Sequence, residues 1–132
     1  MNRSKRERRL RIFETNYGRY GGWYLERHGR RIGALTDYRW AEMFWDSYKV
    51  EALSEDSEDL QLLTSPLRWP GEVVFRSREF GEAVPGAFPW GQGISQEHRV
   101  EMRALYIRIK PPSLWERVRL WWRGSRQAAM NA

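Results

Sequence analysis

The 132-residue chain contains no cysteine and only two histidines. Without cysteine there is no disulfide framework, no thiolate zinc site and no cysteine nucleophile. With two histidines, His28 in a turn-like dipeptide and His98 ahead of an apolar run, there is no HExxH, HxH or paired spacing to hold zinc. No metal and no cofactor is expected. No apolar run approaches the roughly 20 residues that span a bilayer. The start, MNRSKRERRLRIF, is basic but lacks the hydrophobic segment of a secretory signal, and Asn2 stands where myristoylation needs glycine. There is no internal repeat, no nucleophile elbow and no P-loop. The expectation is a soluble cytoplasmic protein.

Aromatic residues are abundant. Eight Trp, six Tyr and five Phe within 41% apolar content exclude a disordered composition, and the length suits one domain with a real core. The net charge of +6 is unevenly spread. Residues 1–11 carry +5, residues 99–132 carry +6, and the middle carries −5. Two readings follow. The basic ends are arms for phosphate-bearing partners, or they fold back on the acidic middle.

Residues 23–27 and 30–35 alternate around His28-Gly29, which predicts a tight hairpin. Asp37 is placed to cap a single helical turn over 36–42. Residues 44–53 form a strand by alternation of Phe44, Tyr48, Val50 and Ala52, broken by Asp46. The acidic stretch 54–59 is expected in solvent, opening a short helix through Leu63 that stops before Pro66. A strand follows over 72–80, then a Gly- and Pro-rich loop over 81–98 pinned by Phe88 and Trp90. Residues 99–110 are apolar on both faces, which predicts a central strand covered on both sides. Leu10 to Glu14 is a further strand candidate.

The stretch PPSLWERVRLWWRG carries a capping box, Ser113 with Glu116, and Gly124 at the C′ position. It predicts a helix over 114–123. Leu114, Trp115, Val118, Trp121 and Trp122 form a stripe about 120° wide, opposite Arg119 and Arg123. The expected fold is therefore α+β, mainly β: one small antiparallel, curled or barrel-like sheet of four to six strands, with this C-terminal amphipathic helix packed on it. Residues 1–8 are expected as a flexible basic arm, 9–124 as a single β-rich domain and 125–132 as a short tail.

Catalysis has little support. Ser95, Glu97, His98 and Glu101 are the one local acid–base cluster, and strand alternation sends Glu97 and His98 to opposite faces. The chain is not expected to be an enzyme, and no small-molecule substrate is inferred. Trp and Arg dominate binding hot spots, so the expectation is a non-catalytic domain binding a protein partner. Its candidate contacts are Trp69, Phe88 and Trp90 with an acidic belt of Glu55, Asp56, Glu58 and Asp59. Two alternatives use the basic residues Arg3, Lys5, Arg6, Arg8, Arg9, Arg11, Arg19, Arg119 and Arg123. One is RNA binding through the termini, although no RNP1, zinc-finger or helix-turn-helix pattern is present. The other is association with an anionic membrane through the Trp/Arg helix.

Overall fold

The computed structural model describes residues 3–43, 45–84, 89, 94–103, 114, 115, 118, 121 and 122. Helix α1 (Arg3–Glu14) precedes strands β1 (Trp23–Arg27), β2 (Arg30–Glu42) and β3 (Trp45–Ala52). Helix α2 (Ser57–Leu63), a 3-10 turn (Pro66–Arg68) and the short α3 (Trp69–Glu72) lead into β4 (Val74–Ser77), β5 (Ala83–Val84) and β6 (Arg99–Arg103). Among the described residues these strands form one antiparallel sheet, in the order β5-β4-β1-β2-β3-β6, that does not close.

The β1–β2 hairpin turns at His28 and Gly29, both with positive φ, as a two-residue turn of the primed kind requires. Trp23 and Leu25 pair with Leu35 and Gly33, and these positions face the core. Gly33 is small for a reason. A Cβ there would lie 2.5 Å from Leu63 Cδ2, so the missing side chain lets α2 sit on β2. Asp56 caps α2, its carboxylate accepting from the amides of Glu58 at 2.9 Å and Asp59 at 3.3 Å.

The helical turn expected over 36–42 is instead the continuation of β2. Asp37 takes a positive φ and forms a register irregularity between Thr36 and Arg39. Arg99 fastens it, donating to the Asp37 carboxylate at 2.9 Å and to the Ser47 hydroxyl at 2.8 Å. Pairing with β3 and this cross-strand clamp override the local capping signal. Asp46, expected to interrupt the face of β3, is buried beside Tyr48 on that same face.

The strand candidate at Leu10 to Glu14 belongs to α1, as do residues 3–8, expected as a flexible arm. No apolar period marks this helix. Arg, Lys, Glu and Leu are good helix formers, and neither Gly nor Pro interrupts the run. Buried Leu10 and Ile12 anchor the helix's last turns.

The strand expected over 72–80 ends at Ser77, whose hydroxyl and carbonyl accept from the amides of Phe80 and Gly81 and turn the chain into β5. Strand β6 lies at the end of the strand order rather than in its middle. Its Val100 and Met102 are buried while Glu101 and Arg103 are exposed. The apolar residues that suggested a second covered face, Leu105, Ile107 and Ile109, lie outside the described residues. Pro89 forms an isolated antiparallel bridge with Met102.

The core gathers Trp23, Leu25, Tyr48, Trp69, Phe75 and Met102, with Leu62 and Leu63 of α2 closing it. Of the expected C-terminal helix, Leu114, Trp115, Val118, Trp121 and Trp122 are helical and exposed, so these five residues do not show the expected packing on the sheet. The inward face of the sheet already holds α2 and the Trp69 turn. Ser113, Glu116, Arg119, Arg123 and Gly124 lie outside the described residues.

Candidate interaction surfaces

Four groups of side chains bear on function. The first is the flank of α1. Its Arg8 forms an ion pair with Glu82 and donates to the Phe80 carbonyl at 3.4 Å. Arg11 lies 3.4 Å from Glu79, and its guanidinium stands 5.8 Å from the centre of the Phe80 ring. Ser4, Glu7, Arg8, Arg11, Glu79 and Phe80 line a shallow cleft of about 400 Å³ between α1 and the β4–β5 connection. Here the basic N-terminal segment does fold back on acids from the middle of the chain. Lys5 is exposed, Arg6 and Arg9 are half-buried, and Arg3 begins the helix.

The acidic belt is the second group, and it divides. Glu55, Asp56 and Glu58 are exposed. Asp59, expected in solvent with them, is 1% exposed. Its carboxylate accepts from Ser54 at 2.7 Å and lies 3.3 Å from Arg30 and 3.8 Å from Arg27. A buried carboxylate needs such partners, and Asp59 has them from β1, β2 and the β3–α2 connection. Trp69, proposed beside the belt, is fully buried, and its indole N–H donates to the Leu62 carbonyl at 2.8 Å. It therefore fills the core in this conformation. Phe88 and Trp90 lie outside the described residues.

The third group went unread in the sequence. Asp46 is 4% exposed, and its Oδ2 is buried without a hydrogen-bond partner. Burial raises its carboxyl above the ordinary range, while the Arg19 charge and the Tyr38 hydroxyl oppose that shift. Tyr48 donates to the Arg19 carbonyl at 3.1 Å and accepts from the Trp23 indole at 3.1 Å. Burial pushes the Tyr48 hydroxyl upward too, so it stays a donor. The rings of Tyr20, Tyr38 and Tyr48 run outward in tilted and edge-on contacts, with centroids 5.0 and 5.8 Å apart. Arg19, a candidate nucleic-acid contact, thus places its carbonyl and its charge in this inward network. The only sequence signal was an acid on an otherwise apolar strand face.

The fourth group is aromatic and exposed. Trp115 is 77% exposed and Trp121 67%, with Leu114, Val118 and Trp122 beside them in sequence. The Trp121 and Trp122 rings meet nearly edge-on at 5.7 Å. Such side chains together present more apolar surface than a free monomer ordinarily leaves in water.

The residues of the acid–base cluster lie in β6 and the turn before it. Ser95, Glu97, His98 and Glu101 are all exposed, and the Ser95 hydroxyl accepts from the Arg99 amide to close the turn into β6. Among the described residues no group of three or more metal-ligating side chains comes together, and no helix is long and apolar enough to cross a membrane. No protein-family model matches the chain, and neither a curated protein nor a solved structure matches it.

Proposed function

We propose that this chain is a non-catalytic interaction domain that binds a protein partner through the aromatic residues of its C-terminal segment. The exposure of Leu114, Trp115, Val118, Trp121 and Trp122 carries this reading. Aromatic side chains of this kind anchor interfaces by filling pockets on the partner, and the partner would cover what the sheet leaves open. Exposed Glu55, Asp56 and Glu58 act at longer range, steering a partner of opposite charge. Phe88 and Trp90 remain proposed contacts on the sequence pattern alone.

A nuclease-treated pull-down from native lysate, comparing the wild type with Trp115→Ala/Trp121→Ala/Trp122→Ala, tests the reading. The expected result is a stoichiometric protein recovered by the wild type and absent with the triple variant. Equal recovery by both would remove the aromatic segment from the interface.

A second reading rests on the +6 charge of residues 99–132, which with exposed Trp suits the headgroup region of an anionic membrane. Co-sedimentation with phosphatidylserine vesicles, abolished by the same triple variant, would favour it over the protein partner.

A further inference from the structure

Six of the twelve residues of α1 are Lys or Arg, and its first turn carries no acid to offset the positive end of the helix dipole. Arg3, Lys5 and Arg6 therefore crowd the end of the helix that disfavours cations, whereas Arg11 lies in the last turn, where the dipole suits one. What balances the charge lies across the cleft. Glu82 faces Arg8 and Glu79 faces Arg11, two carboxylates presented to two arginines one turn apart. Both pairs are open to water: the side chains of Arg8 and Arg11 are 50% and 66% exposed, those of Glu82 and Glu79 34% and 25%. Exposed pairs of this kind are weak and screened by salt, so another anion can displace the carboxylates without dismantling the core.

The anion's class follows from what α1 shows to solvent. A helix that lies in a lipid interface needs an exposed apolar face. Leu10 and Ile12 are buried and Phe13 is half-buried, leaving no large apolar side chain of α1 exposed. A chain of phosphates needs only the cations. A stacking platform follows close behind in sequence, since Tyr20 is 55% exposed, with its ring edge-on to Tyr38.

We propose that the face of α1 carrying Arg8 and Arg11 binds the phosphate backbone of single-stranded RNA, and that Glu79 and Glu82 occupy these arginines in the free protein as an internal competitor. These acids of the β4–β5 connection set the affinity. RNA binding exchanges each carboxylate for a phosphate and leaves α1 held by Leu10 and Ile12. This surface involves none of the C-terminal aromatic residues, so it stands or falls separately from the protein-partner reading.

The test is fluorescence anisotropy of the full chain with a labelled polyuridine oligonucleotide of about 20 nucleotides, enough to exceed a single-strand site. Glu79→Gln/Glu82→Gln should tighten binding by about two- to thirtyfold at low salt, the range that two exposed ion pairs span. Arg8→Gln/Arg11→Gln should weaken it and flatten the slope of log K against log salt by about 1.4, since each phosphate left unneutralised takes away about 0.7. Glu42→Gln/Glu51→Gln, at two exposed positions outside the cleft, adds the same charge and should leave the affinity within about twofold of wild type, as screened distant charges do. Thermal melts check that each variant is folded. No gain from the Glu79/Glu82 pair, an equal gain from the Glu42/Glu51 pair, or wild-type binding by the arginine variant would each overturn the proposal. So would phosphatidylserine-vesicle binding that depends on Arg8 and Arg11 in a protein that ignores polyuridine.

Discussion

Trp69 separates a core role from a contact role by a measurable margin. Its side chain is fully buried, its ring lies 6.1 Å from that of Phe75, and its N–H satisfies the Leu62 carbonyl near the end of α2. Truncation to Ala removes a large buried aromatic, a change that costs about 3–5 kcal/mol. Leu62 O loses one of its donors but keeps the Ser65 amide at 3.0 Å. Phe in place of Trp keeps much of the apolar area and isolates the loss of that one hydrogen bond, worth about 0.5–1.5 kcal/mol. Domains of this size are stable by about 5–15 kcal/mol, so Trp69→Ala consumes a large fraction of the total. At roughly 4 °C per kcal/mol, the melting temperature should fall by about 12–20 °C for Ala and by about 2–6 °C for Phe. Urea unfolding followed by far-ultraviolet circular dichroism reads both variants without relying on tryptophan emission. A Trp69→Ala protein that melts with the wild type yet loses its partner would refute the assignment and return Trp69 to the surface. Equal losses for Ala and Phe would instead place the whole effect in the indole hydrogen bond.

Gly22 has a φ of +83°, and a Cβ there would stand 2.0 Å from the Leu35 carbonyl oxygen, so Gly22→Ala should cost at least about 2 kcal/mol in urea melts. An unchanged midpoint would mean that the loop before β1 is not seated on β2. Asp59→Ala should cost about 3 kcal/mol or more, because it strands Arg27, whose side chain is only 20% exposed. The exposed substitutions Glu55→Gln and Glu58→Gln should stay within about 0.5 kcal/mol, and a similar loss from all three would dissolve the distinction within the acidic belt. For Asp46 the sign follows from its raised carboxyl: between the ordinary carboxylate range and the raised value, the folded state holds a proton that the unfolded state has released. Stability therefore falls as pH rises through that window and stays lowered above it. Asp46→Asn should flatten that acid-range slope and stabilise the protein at neutral pH. A less stable variant at neutral pH would show that Arg19 holds Asp46 ionised.

Period-two alternation and a Gly-containing dipeptide were enough to read the first hairpin, because Trp23, Leu25 and Leu35 share a buried face and the turn chemistry is local. The third strand and the short capped helix after it were legible for the same reason. What was not legible depends on distant partners. Asp37 carries an N-cap signal that Arg99, sixty-two residues away, converts into a fixed irregularity in a long strand. Helix α1 has no apolar stripe to detect, since only its last turns are anchored and the rest is held by charge across the cleft. Propensity summed along 3–14 would have found it where periodicity did not.

Candidate contacts were less legible than the fold because composition does not distinguish a buried Trp from an exposed one. Trp69 and Trp115 look alike in sequence, each beside a proline or a charged run, and the structure sends one to the core and leaves the other 77% exposed. The acidic belt shows the same ambiguity within five residues, where Asp59 turns inward to Arg27 and Arg30 while Glu55 and Glu58 face water. Charge has a direction that sequence position does not supply. Under the RNA-binding proposal, the two readings of the basic N-terminal segment, folded back or reaching out, become successive states of one contact. Glu79 and Glu82 hold Arg8 and Arg11 through pairs exposed enough to exchange, so a segment neutralised in the free protein is also one that a stronger anion can recruit.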